Sequence, residues 1–254
     1  MRLIRRAFGL NGNALAGLVL AGALLAAAAP AGYAQMGAPA AAPAKVHFVR
    51  TDALDLATIL PAPPQPGSLA AEADLDAVLQ AQEWRTPQEV DWAKRIEKIR
   101  SLAEYTDVVG AWFSDENLPA TLALLKAVDA DSKAGVDAGK KLFNRPRPFV
   151  GDPLVKPCVE PLDEPSYPSG HATRFYLEAG VLAEILPGKR DALFGRAQRM
   201  AWGRVQGGVH YPTDLVGGRI LAAAILAELK ESPSFGAALE KARAEVAAFS
   251  AGGN

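Results

Sequence analysis

The sequence reads as an all-α protein, a single helical domain over residues 68–250, on three grounds. Apolar residues recur at helical spacing in one segment after another. Strand signals are scarce: no Asn-Gly or Asp-Gly pair separates two alternating apolar runs, and no repeat of fixed period is present. Half of the 254 residues are hydrophobic, enough to bury a real core.

The amino terminus has the layout of an address. Arg2, Arg5 and Arg6 precede an apolar run from Ala14 to Ala29, and Gly32 and Ala34 place small residues where a signal peptidase needs them. Residues 1–34 are therefore expected to be a signal peptide cut after Ala34. The run is short for a span of ~20 residues. No later stretch approaches that length without charges, so the mature chain is expected to be exported to the periplasm and free of the membrane. Residues 35–67 read as an Ala/Pro-rich linker and extended arm, ending in the cluster Pro61 to Pro66.

After Gly67-Ser68 the helical pattern begins, with Leu69, Leu75, Val78 and Leu79 suiting one face. Thr86-Pro87-Gln88-Glu89 supplies a capping threonine and a proline at the first helical position. Further helices are expected over 87–107, 117–143, 170–186, 189–204, 212–231 and 234–249. Leu124, Leu125 and Val128 give one of them its apolar stripe, and Leu182, Ile185 and Leu186 another.

Charge and cysteine usage narrow the chemistry. The 27 basic and 28 acidic residues nearly cancel, which excludes a general nucleic-acid binder. Loss of three arginines and no acids with the leader takes the net charge from −1 to −4, so any anion site has to be built locally. The lone Cys158 excludes an intramolecular disulfide and a multi-cysteine zinc site. Neither a metal nor another cofactor is called for, and the oligomeric state stays open, with a homo-oligomer among the options.

Three polar clusters carry the chemistry. In the first, Lys140 and Arg147 are seven residues apart, two helical turns, and Pro146 and Pro148 stiffen the exit that holds Arg147. A solvated basic helix end would look the same. In the second, Pro168-Ser169-Gly170-His171 opens a helix. Backbone N–H groups there can cradle an anion, and His171 can exchange a proton beside it. An ordinary serine cap with a surface histidine is the alternative. In the third, Asp214 follows His210 by four residues, so a helix starting near Pro212 can return the carboxylate to the imidazole, fix its tautomer and free the other nitrogen as a nucleophile. A loop histidine paired with a capping aspartate would explain that pair, but not Arg204, whose planar donors suit phosphate. Together the clusters suffice for phosphoryl transfer: cations for the spreading charge, a nucleophile, and an acid for the leaving oxygen.

Lys-x6-Arg-Pro, Pro-Ser-Gly-His and Arg-x5-His-x3-Asp, ten residues in order, resemble the signature of the type 2 phosphatidic acid phosphatase (PAP2) superfamily, which takes in bacterial nonspecific acid phosphatases, lipid phosphatases and vanadium haloperoxidases. The export signal, the Leu60 to Ser68 stretch, Arg85-Thr86-Pro87 and Ser166-Tyr167 before the second motif make the class A bacterial acid phosphatases the nearest likeness. That resemblance implies a helical domain with its site between helices and a metal-independent acid phosphatase of broad specificity acting on small phosphomonoesters. His210 would attack phosphorus and become phosphohistidine, Asp214 would orient it, and His171 would protonate the leaving alcohol. Lys140, Arg147, Ser169, Gly170 and Arg204 would hold the phosphate oxygens. The family's usual Ser-Arg is here Gly203-Arg204, which removes a supporting hydroxyl.

A lipid or isoprenoid-diphosphate phosphatase is disfavoured by the lack of apolar spans after the signal. A vanadate-dependent haloperoxidase is disfavoured by the short chain, and a phosphate-binding protein without turnover by the presence of both histidines. Of the other conspicuous residues, His47 reads as incidental. Lys141 and Arg145 read as solvated, with Arg145 a candidate for the site mouth. Trp84, Trp92, Trp112 and Trp202 read as core, Asp115 and Glu116 as helix capping, and Tyr167 and Tyr211 as packing beside the histidines.

Overall fold

A computed structural model describes residues 46–252. The expected leader, 1–34, and the first part of the expected arm lie outside the described residues. Among those described, seven helices exceed two turns: α1 Leu69–Trp84, α2 Pro87–Lys98, α3 Pro119–Phe143, α4 Gly170–Ile185, α5 Arg190–Gln206, α6 Pro212–Lys230 and α7 Pro233–Gly252. Single turns lie between them, and no strand occurs among the described residues. The all-α expectation holds.

α4 is the axis of the fold. It packs against α3, α5 and α6, and Phe175, Leu177, Val181 and Leu182 bury different sides of it, as expected of a helix enclosed by three others. α2 lies on α5 and α7 on α3. On α7, Phe235, Leu239, Ala242 and Val246 form the buried stripe at helical spacing.

Local sequence explains most boundaries. Thr86 and Glu89 form a reciprocal capping box at the start of α2, with the Thr86 N–H donating to Glu89 at 2.8 Å. α2 then stops at Lys98 rather than running to 107. Ile99 is extended, Ser101 caps the single turn Leu102–Tyr105, and Asp115 accepts the Leu102 N–H at 2.7 Å. Asp115 is thus a cap for that turn, not for α3. The start of α3 has no local cap. Glu245 of α7 accepts the Ala120 and Thr121 N–H groups, each at 2.8 Å, satisfying donors that a helix start leaves free.

Other expectations need correcting. Leu69 is 83 % exposed, and only the later part of its stripe, with Val78 at its centre, faces inward. Trp84 and Trp202 are exposed at 67 % and 42 %, so they are not core. Trp92 is half-buried, with the guanidinium carbons of Arg95, Arg196 and Arg199 4.7 to 5.3 Å from its ring. The described end of the arm docks on α3: His47, Phe48 and Val49 donate backbone N–H groups to the buried Asp131 carboxylate at 2.8, 2.7 and 3.0 Å.

Two glycines set how closely α6 approaches α4. A Cβ on Gly218 would lie 2.7 Å from the Ser169 carbonyl oxygen and 3.0 Å from the Thr173 nitrogen, and one on Gly217 would lie 2.5 Å from the Tyr167 ring. Without side chains there, the first turns of the two helices touch, and the Ser169 N–H donates to the Asp214 carbonyl at 3.1 Å.

Candidate active site

The three clusters meet where helix ends converge. Lys140 stands in the last turn of α3, and Asn144, in the left-handed region at φ 43°, turns the chain toward Arg147. Gly170 and His171 open α4, Arg204 closes α5, and Asp214 lies in the first turn of α6. Gly208, at φ 76°, makes the tight turn between Arg204 and His210. Lys140, Arg147, Gly170, His171 and His210 line one cavity of about 370 Å³. Ser169, Arg204 and Asp214 are fully buried behind that lining.

The α6 helix begins at Pro212 and brings Asp214 back to the imidazole. Its Oδ2 lies 3.2 Å from His210 Nδ1 and accepts the Tyr211 N–H at 2.8 Å. A carboxylate at Nδ1 keeps the proton there and leaves the lone pair on Nε2. That Nε2 lies 3.2 Å from Arg147 Nη1, which also donates to the Val209 carbonyl at 2.9 Å. Burial, then the charges of Arg147, Arg204 and Lys140, hold His210 well below the ordinary histidine value. Burial raises Asp214, and Arg145 opposes that rise.

His171 Nε2 lies 3.1 Å from the Glu97 carbonyl at the end of α2, a group the last helical turn leaves without an intrahelical donor. The early end of α2 therefore serves the site. Burial and then Arg204 depress His171 well below the ordinary range. Arg204 itself is brought down to about 10, chiefly by burial. Its Nη2 pairs with Glu97 at 3.3 Å, while Nε and Nη1 meet no acceptor among the described residues. Buried donors without acceptors cost about 1–3 kcal/mol each, a cost that an entering oxyanion would relieve.

Two features escaped the sequence. Glu164, 44 % exposed, bonds to Lys140 Nζ and to Arg147 Nη2, the latter at 3.0 Å, so a carboxylate occupies the cations expected to hold phosphate. Arg145, expected in solvent or at the site mouth, is buried. Its Nη1 donates to Asp214 Oδ1 at 2.7 Å and its Nη2 to Asp74 Oδ2 at 2.7 Å, with the guanidinium 4.0 Å from the Tyr211 ring centroid. It anchors the carboxylate that steers His210. Ser169, placed among the phosphate contacts, uses its hydroxyl oxygen to cap α4 through the Ala172 N–H at 3.3 Å. Gly203 faces α2 instead of the cavity: a Cβ there would lie 2.5 Å from Ile96 Cδ1 and 3.2 Å from Trp92 Nε1, a buried donor without an acceptor among the described residues.

Helix ends thus gather two imidazoles, a carboxylate on one of them and buried cations around one cavity, the set of groups that phosphoryl transfer calls for. Residues 119–233, which hold all eight expected site residues, match the PAP2 superfamily. The chain is 26% identical over 212 residues to a non-specific acid phosphatase of Providencia stuartii, covering 79% of this chain and 84% of that protein. It is 32% identical over 149 residues to a non-specific acid phosphatase of Salmonella typhimurium, covering 56% of this chain and 59% of that one. Among solved structures, a bacterial vanadium-dependent iodoperoxidase aligns with a TM-score of 0.51 at 19% identity, over 69% of this chain and 54% of that chain. That last likeness concerns the fold alone.

Proposed function

We propose that the protein is an acid phosphatase that hydrolyses small phosphomonoesters of broad range through a phosphohistidine, without a metal. The observation that carries this reading is His210, with a buried carboxylate on Nδ1 and its Nε2 beside Arg147 in a cavity shared with Lys140 and His171. The acid phosphatases among its relatives support it.

On this reading Nε2 attacks phosphorus as the bond to the leaving oxygen breaks, and that oxygen takes a proton from His171. Water then attacks the phosphohistidine, His171 takes the water's proton, and the N–P bond returns its electron pair to Nε2. Lys140, Arg147 and Arg204, with the Ser169 hydroxyl hydrogen and the Gly170 N–H at the start of α4, would hold the equatorial oxygens. Burial, and after it the charges of Arg204 and Arg174, keep His171 neutral. A bound dianion offsets Arg204 and raises His171, so the proton needed by the leaving group becomes available at mildly acidic pH. Export to the periplasm through cleavage after Ala34 belongs to the same proposal.

The test is a chromogenic aryl phosphate given to the mature chain with chelator present. Turnover is expected, and His210→Ala should abolish it together with an acid-labile, base-stable phosphoenzyme. Turnover retained in that variant, or dependence on added magnesium or zinc, would overturn the mechanism.

A further inference from the structure

The cavity extends well past the phosphoryl end, and its far end is cationic. One face of α3 lines it from Lys140 through Asp137 and Lys133 to Asp129. Seven residues separate Lys133 from Lys140, about 10 Å along the helix at 1.5 Å per residue. α4 runs alongside in the opposite sense, with Pro168 against Gly139 and Gly170 against Val136. His171 therefore belongs to the phosphoryl end, and Arg174, one turn further along α4, to the far end.

Arg174 is the unusual member. Its side chain is only 5% exposed, its Nη1 pairs with Glu178 at 3.2 Å, and its guanidinium carbon lies 4.4 Å from the Phe175 ring centroid. Nε and Nη2 have no hydrogen-bond partner among the described residues. Those two atoms form the side-on fork of a guanidinium, the geometry that grips two oxygens of one anion. Arg100 and Lys133 line the same end. Arg100 spends Nη1 on the Ile99 and Glu97 carbonyls, at 2.8 and 3.4 Å, and its Nε lies 3.8 Å from Asp129. Three cations thus face two carboxylates, Asp129 and Glu178, while Asp137 stands midway between Lys133 and Lys140.

We propose that Arg174, Arg100 and Lys133 form a second anion subsite, selecting phosphomonoesters whose leaving group carries another phosphate on the order of 10 Å from the reacting phosphorus. This rests on the phosphatase reading, because the first phosphate must occupy the end lined by Lys140, Arg147 and His210. The three cations outnumber Asp129 and Glu178 by one, and Nε and Nη2 of Arg174, unpaired among the described residues, match two oxygens of one phosphate.

Two non-hydrolysable probes test the proposal by calorimetric binding, without recourse to turnover: hexylphosphonate, and the α,ω-hexane bisphosphonate of the same chain. The bisphosphonate is expected to bind roughly ten-fold tighter or more, the scale of one charge-assisted hydrogen bond. That ratio should shrink several-fold in Arg174→Met and in Lys133→Gln. Lys133 is exposed, so its variant reads the subsite even where loss of the buried arginine perturbs folding. Equal binding of the two probes by the parent protein, or a ratio that survives both substitutions, would overturn the subsite and leave the phosphatase reading standing. Failure of both probes to bind would overturn both.

Discussion

Glu164 is a rival for any anion that enters the site, because it already holds Lys140 and Arg147. Glu164→Gln is expected to tighten inorganic phosphate and aryl phosphate by the same factor, roughly ten-fold, since both ligands displace the same carboxylate. Product-inhibition constants and KM measured side by side check this. Weaker binding in the variant would mean that Glu164 orients the cations instead of competing for them. Neither Glu164 nor Arg145 was legible in the sequence, for the same physical reason. Their partners are far away along the chain: Arg145 reaches Asp74 across 71 residues, and Glu164 reaches Lys140 across 24. The His210–Asp214 pair was legible because a helix start imposes its geometry within four residues.

At the scale of elements, the contact between α4 and α6 positions the chemistry, since His171 opens one helix and Asp214 the other. Gly218→Ala would push a methyl group into the Ser169 carbonyl, a backbone atom that cannot step aside. The expected cost is about 1–3 kcal/mol of stability, as for overpacking elsewhere, together with a fall in kcat from displacement of His171 relative to His210. Denaturant melts and kinetics on one preparation check both, and unchanged values would mean that the helices can separate freely. The long helices were legible because apolar periodicity and proline starts are local signals. The early end of α2 was not, because what replaces its last turns is a contact with Asp115 and the use of the Glu97 carbonyl by His171. The cap of α3 by Glu245 was hidden likewise, across 125 residues.

For the whole molecule, two buried neutral imidazoles tie stability to pH. His171 is held below the ordinary value of about 6.5 in the fold and regains that value on unfolding, so the unfolded chain binds more protons below it. The stability is fully present above about 6.5 and is lost as pH falls toward the folded value. His171→Asn, which lacks this titration, is therefore expected to lose less stability than its parent between about pH 7 and pH 5 in denaturant melts without phosphate. A steeper loss in the variant would contradict a neutral His171 in the empty site. The clamp on Asp131 has a consequence for maturation. Its carboxylate is buried and takes the amide hydrogens of His47, Phe48 and Val49. The proposed cleavage after Ala34 would spare all three, whereas trimming through Val49 would leave that buried carboxylate without these donors, on the same helix that carries Lys140. The amino-terminal edge to which this enzyme can be pared is thus set from within, by a single aspartate.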